Sequence, residues 1–106
     1  MAKYLFRASL TAEGLKGLLK EGGSARREVA RKAVEGLGGT LEAFYFGFGD
    51  KDVYILADLP DNSAAAALST RTSSSGTVSV GTTVLITPEE MDAASKLSVD
   101  WRAPGA

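Results

Sequence analysis

Residues 40–59, TLEAFYFGFGDKDVYILADL, decide how this chain is read. Two apolar runs, Thr40 to Phe48 and Asp52 to Leu59, are separated by Gly49-Asp50-Lys51. Each run alternates with the period of a strand, and a short link rich in Gly and Asp is a hairpin signal, so the two are expected to be antiparallel neighbours. Simple alternation puts Leu41, Ala43 and Tyr45 on one face of the first strand and Phe44, Phe46 and Phe48 on the other. In the second strand Val53, Ile55 and Ala57 oppose Tyr54 and Leu56. Both strands are thus apolar on both faces, and each face of their sheet needs cover.

Upstream, Lys3 to Ser9 alternates as a first strand, with Tyr4, Phe6 and Ala8 opposing Leu5 and Arg7. Thr11 offers a helix cap, and Leu15, Leu18 and Leu19 stand at helical spacing before Gly22-Gly23 interrupts them. Ser24 is placed to cap a second helical piece, whose stripe is Val29, Ala33 and Leu37 and whose end is Gly38-Gly39. Downstream, Pro60-Asp61-Asn62 stops the third strand and supplies capping oxygens for an Ala-rich helix over about residues 63–72. Thr77 to Ile86 reads as a fourth strand, with Val78, Val80, Val84 and Ile86 on one face. Pro88-Glu89-Glu90 opens a last helix to about Leu97.

The order β-α-β-β-α-β followed by a helix is the α+β, ferredoxin-like arrangement, one four-stranded antiparallel sheet with helices on one face. A single domain is expected over residues 1–97, with residues 98–106 as a tail carrying Trp101. Helices on one face leave the other apolar and open, and an exposed apolar sheet of that extent marks an interface. The economical cover is a second copy, in a homodimer or a higher homo-oligomer, with two sheets packed face to face.

Composition narrows the function classes. The chain has 106 residues, 44% of them hydrophobic and 24% charged, which is globular. Its 12 basic and 13 acidic side chains give a formal charge of −1, too little field to hold nucleic acid or an anionic membrane. Cysteine and histidine are both absent, which removes thiol nucleophiles, imidazole bases and zinc sites built from them. No metal or cofactor is expected, and without a leader or an apolar span a cytoplasmic location is the default.

The pattern as a whole resembles the GYD domain family, small bacterial proteins of the ferredoxin-like dimeric α+β barrel group. The likeness runs through Lys3-Tyr4-Leu5-Phe6, the run Thr11 to Leu18, Gly22-Gly23-Ser24 with Arg26-Arg27, Leu37-Gly38-Gly39, the Gly49-to-Val53 hairpin, Leu59-Pro60-Asp61 and Gly76. The family is named for a Gly-x-Tyr-Asp motif. Here Gly49 and Asp52 match it, while Lys51 stands where the tyrosine belongs. The resemblance implies a barrel and a cavity, and no particular substrate.

Three groups of residues are candidate sites. In the hairpin, Asp52 is the candidate base of a metal-free enzyme, of isomerase or monooxygenase type, with Lys51 or Arg7 stabilising an anion. The same residues more simply make a plain turn, with Lys51 pointing to water. At the helix break, Ser24, Arg26 and Arg27 offer backbone N–H groups and guanidinium donors to an anion, or form an ordinary solvated helix start. Among the aromatics, Tyr45 and Tyr54, with Arg7, are candidate polar anchors in an apolar cavity between two sheets. The leading reading is a small-ligand-binding or oligomerisation module without chemistry of its own.

Overall fold

The computed structural model describes all residues from 1 to 106. Strand β1 (Ala2–Leu10) leads into helices α1 (Ala12–Glu21) and α2 (Gly23–Gly36), then the hairpin of β2 (Thr40–Phe46) and β3 (Val53–Leu59). Helix α3 (Asn62–Ser73), strand β4 (Val78–Leu85) and helix α4 (Pro88–Ser95) complete it. The four strands form one antiparallel sheet in the order β2-β3-β1-β4, as expected for the ferredoxin-like fold.

Local chemistry explains the element boundaries. Thr11 caps α1 by accepting the Gly14 N–H, and Asp61 caps α3 by accepting the Ala64 N–H. Thr87 and Glu90 form a reciprocal capping box around Pro88 at the start of α4. Between α1 and α2 a single residue, Gly22, turns the chain with φ of 90°, a value that glycine adopts without the Cβ penalty. Gly22 is itself the N-cap of α2, so Ser24 lies inside the helix and makes no cap, contrary to the sequence reading.

The core lies between the sheet and α2 and α3. Tyr4, Phe6, Val34, Ala57, Leu59 and Ala65 form its buried cluster, each large side chain contributing about 1.5–3 kcal/mol of burial. The one polar atom that Tyr4 carries inside is satisfied, since its hydroxyl donates to Asn62 Oδ1 at 2.7 Å. Only nine of the 106 residues are buried, few for a domain of this length, because one sheet face and the C-terminal segment stand open. The radius of gyration, 16.8 Å, exceeds the roughly 13 Å of a compact chain this long.

Three expectations from the sequence need correction. A bulge between Leu41 and Ala43 changes the phase of β2, so Leu41 pairs with Ala57 and joins Phe44 and Phe46 on the helix side. Strict alternation had set it opposite them. Strand β2 also stops at Phe46, and Phe48 is fully exposed in the turn, not part of a sheet face. In α1 the expected apolar stripe buries nothing, and Leu19 remains 86% exposed.

The candidate site: an apolar cavity between the helices and the sheet

An apolar cavity of about 240 Å³ opens between α1, α2 and the helix-facing side of the sheet. Its floor is Phe6 and Ala8 of β1, Phe44 of β2, Val53 and Ile55 of β3 and Val80 of β4. Val29 and Ala33 of α2 form the roof, with Gly14 and Gly17 of α1 beside them and Leu68 and Thr72 of α3 at one side. Of its 21 lining residues 14 are hydrophobic, so an occupant is held by burial of apolar surface. Glu13, Glu21, Arg26, Thr72 and Thr77 supply the polar side chains of the lining.

Two glycines of α1 set the shape of this space in opposite ways. A Cβ on Gly14 would lie 2.1 Å from the Thr77 carbonyl oxygen, so here glycine permits close approach of helix and strand. A Cβ on Gly17 would meet no atom within 4 Å. Gly17 therefore weakens the helix by roughly 1 kcal/mol relative to alanine without relieving any contact. Its effect is to leave the cavity wall bare.

The sequence candidates fall in three places. Asp52 is half-buried outside the cavity lining, where one carboxylate oxygen accepts the Leu10 N–H at 2.7 Å. Its own N–H donates to the Ala8 carbonyl at 2.8 Å, and its carbonyl accepts the Gly47 N–H at 2.9 Å. Two of these hydrogen bonds fasten the hairpin to β1, and the third, to Gly47, closes the hairpin itself. Neither Asp52 nor Lys51 takes part in an ion pair, and an enzyme reading would need its carboxylate at Glu13 or Glu21 instead.

At the helix break, Arg26 Nη1 pairs with Glu21 Oε1 at 3.1 Å, so the side chain offered to an anion is already matched by a carboxylate at the cavity rim. Arg27 sits 3.9 Å from Glu28 and lines, with Arg31, a separate shallow depression beside β2. Ser24 is exposed and makes no side-chain hydrogen bond.

Arg7, Tyr54 and Tyr45 are brought together. Arg7 pairs with Tyr54 across β1 and β3, and Tyr54 pairs with Tyr45 across β3 and β2. All three are exposed, on the sheet face opposite the cavity. At the far end of that face Lys3 Nζ binds Asp58 Oδ1 at 3.1 Å and also Glu42. The hydrogen bonds that Lys3 donates, first to Glu42 and then to Asp58, raise its pKa above the ordinary value, and the bond accepted from Lys3 lowers that of Asp58. No three acidic side chains converge as a metal site requires, and no helix is long and apolar enough to cross a membrane.

Comparison with protein-family profiles matches the GYD domain over residues 4–95. The chain belongs to the GYD domain family. The match spans β1 through α4 and stops ahead of the Trp101 tail. No curated protein and no solved structure matches this GYD domain significantly. Sequence reasoning missed the cavity of this GYD domain because it sought one between two sheets. The available signal was Gly17, a helix-weakening residue on the inner side of α1.

Proposed function

We propose that this GYD domain is a homodimeric binding module that holds a small apolar molecule in the cavity between α1, α2 and the sheet. The observation that carries the reading is Gly17, which costs helix stability, relieves no contact and keeps the wall open. Size narrows the ligand class. An apolar cavity of about 150 Å³ accepts benzene, so 240 Å³ suits a larger ring system. The Glu21–Arg26 pair at the rim favours a ligand with one neutral polar group over one with a net charge.

Self-association rests on the open sheet face. Leu5, Leu56 and Ala43 lie there half-buried beside exposed Tyr45 and Tyr54, a mixture of apolar and aromatic groups suited to an interface.

A thermal-shift screen of one- and two-ring aromatic molecules against the full chain, repeated on Gly17→Leu, tests the ligand reading. A ligand present at 100 times its dissociation constant adds about 2.7 kcal/mol, which raises Tm by roughly 10 °C or more for a domain of this size. The same ligand should leave Gly17→Leu unshifted. A wild-type chain that no such molecule shifts, or a variant shifted equally, refutes the assignment of the cavity.

A further inference from the structure

Helix α1 is turned inside out. Glu13, Gly14, Gly17 and Glu21 line the apolar cavity, while Leu15 and Leu19 are exposed and neither they nor Leu18 belong to the lining. Glu13, Gly17 and Glu21 follow one another at i, i+4 spacing, so one helix face presents a carboxylate, a bare stretch and a second carboxylate to a space walled elsewhere by apolar groups. Burial of apolar surface alone would have put the leucines on that face.

The helix also lies across the sheet. Its first turn is fixed at the start of β4, where the Thr11 N–H donates to the Thr77 carbonyl at 2.9 Å and Gly14 packs on the same oxygen. Its far end reaches β2, where a Cβ on Gly23, the first residue of α2, would come within 2.9 Å of the Phe46 ring. Strands β2 and β4 are the two edges of the sheet. Four strands measure about 14 Å across, and the ten residues of α1 measure about 15 Å along the axis. The cavity beneath α1 is therefore elongated, with all four strands in its floor, apolar in the middle and polar at both ends.

The polar side chains of the lining differ in what they already hold. Glu21 and Arg26 pair with each other at the β2 end. The Thr72 hydroxyl donates to the Leu68 carbonyl, and the Thr77 hydroxyl shares a hydrogen bond with Ser75. Glu13 alone has neither an ion pair nor a side-chain hydrogen bond within the chain. Its place in the first turn suits the helix dipole, but the dipole is indifferent to which side of that turn the carboxylate occupies.

We propose that the cavity takes a rod-shaped molecule of two linked rings with a hydroxyl at each end, one donating to the Glu13 carboxylate and the other meeting the Glu21–Arg26 pair. The inference rests on the ligand reading above and adds the second polar end and the spacing between the two. Eight helix positions set the carboxylates about 12 Å apart along the axis, the reach of two linked rings with terminal oxygens. A hydroxyl satisfies Glu13 through a charge-assisted hydrogen bond without carrying a net charge into the apolar middle.

Dissociation constants of the full chain for biphenyl, para-phenylphenol, para,para′-biphenol and ortho,ortho′-biphenol test this. Binding should tighten about tenfold with each terminal hydroxyl, from biphenyl to para-phenylphenol to para,para′-biphenol. The ortho compound, whose hydroxyls sit together, should bind no tighter than para-phenylphenol. Glu13→Ala should bind the two para phenols alike, and Glu13→Gln, which keeps an acceptor without the charge, should fall between that variant and the wild type. Glu13 is exposed and bonds to no other side chain, so both variants should keep the far-UV circular dichroism of the wild type. Equal binding of the two para phenols by the wild type overturns the proposal, and so does an undiminished preference for para,para′-biphenol in Glu13→Ala. Biphenyl bound as tightly as any phenol removes the two polar ends and leaves the apolar cavity standing. If none of the four molecules binds, the assignment of the cavity falls, and this inference with it.

Discussion

The Leu10 backbone N–H donates to the Asp52 carboxylate across 2.7 Å, which ties the last residue of β1 to the residue just before β3. Asp52→Ala removes the acceptor and leaves a partly buried donor unpaired, at a cost of about 1–2 kcal/mol. Asp52→Asn keeps an amide oxygen in place and should cost less. Urea denaturation of the two variants checks this order, and equal stabilities would show that the hydrogen bond contributes nothing.

Alanine at two positions three residues apart in α1 should act with opposite sign. Gly14→Ala drives a methyl into the Thr77 carbonyl oxygen and destabilises the domain by about 1–3 kcal/mol. Gly17→Ala meets open space and stabilises it by about 0.5–1 kcal/mol. Thermal unfolding of the pair is sufficient, and a destabilised Gly17→Ala would mean that the wall there is already closed.

The Lys3, Asp58 and Glu42 cluster makes stability depend on pH at both extremes. The Asp58 pKa is lowered in the folded chain, so its contribution is complete above the ordinary carboxylate value of 3.8 and is lost as pH falls through the lower folded value. The Lys3 pKa is raised, so its contribution is complete below 10.5 and is lost as pH rises through the higher folded value. Asp58→Asn should therefore flatten the acid limb of a Tm-against-pH profile and lower its plateau near neutrality. An acid limb identical to wild type would place the sensitivity elsewhere.

Trp101 is the only tryptophan and is 73% exposed in the segment beyond α4, so its fluorescence reports that segment alone. At low concentration its emission should be that of indole in water, fully open to acrylamide. Deleting residues 98–106 should change the stability of a dilute sample by no more than about 0.5 kcal/mol. Protection of Trp101 that grows with protein concentration would place the tail on a neighbouring copy.

Much of the fold was legible because local signals agreed. Alternation in β1 and β3, the caps at Thr11 and Asp61 and the glycine break after α1 each pointed to the observed element. Leu41 escaped because a bulge changes strand phase without leaving a composition signal, and alternation carries no memory of an inserted residue. Phe48 misled because an aromatic in a turn reads as a strand residue until the turn is located. The site was less legible than the fold. Arg7, Tyr45 and Tyr54 share a face and a row, which alternation within each strand does not reveal and only the pairing register shows. The cavity needs the depth of α1 above the sheet, which no periodicity encodes.

β1 is a partition one residue thick. Phe6 and Ala8 look into the cavity while Leu5 and Arg7 look the other way, and the division is made only by the parity of position. Inserting or deleting a single residue in β1 would turn Arg7 into an apolar space and Phe6 out to water, exchanging the contents of two compartments at once. A substitution in this strand disturbs one compartment at a time, whereas a change in its length disturbs both.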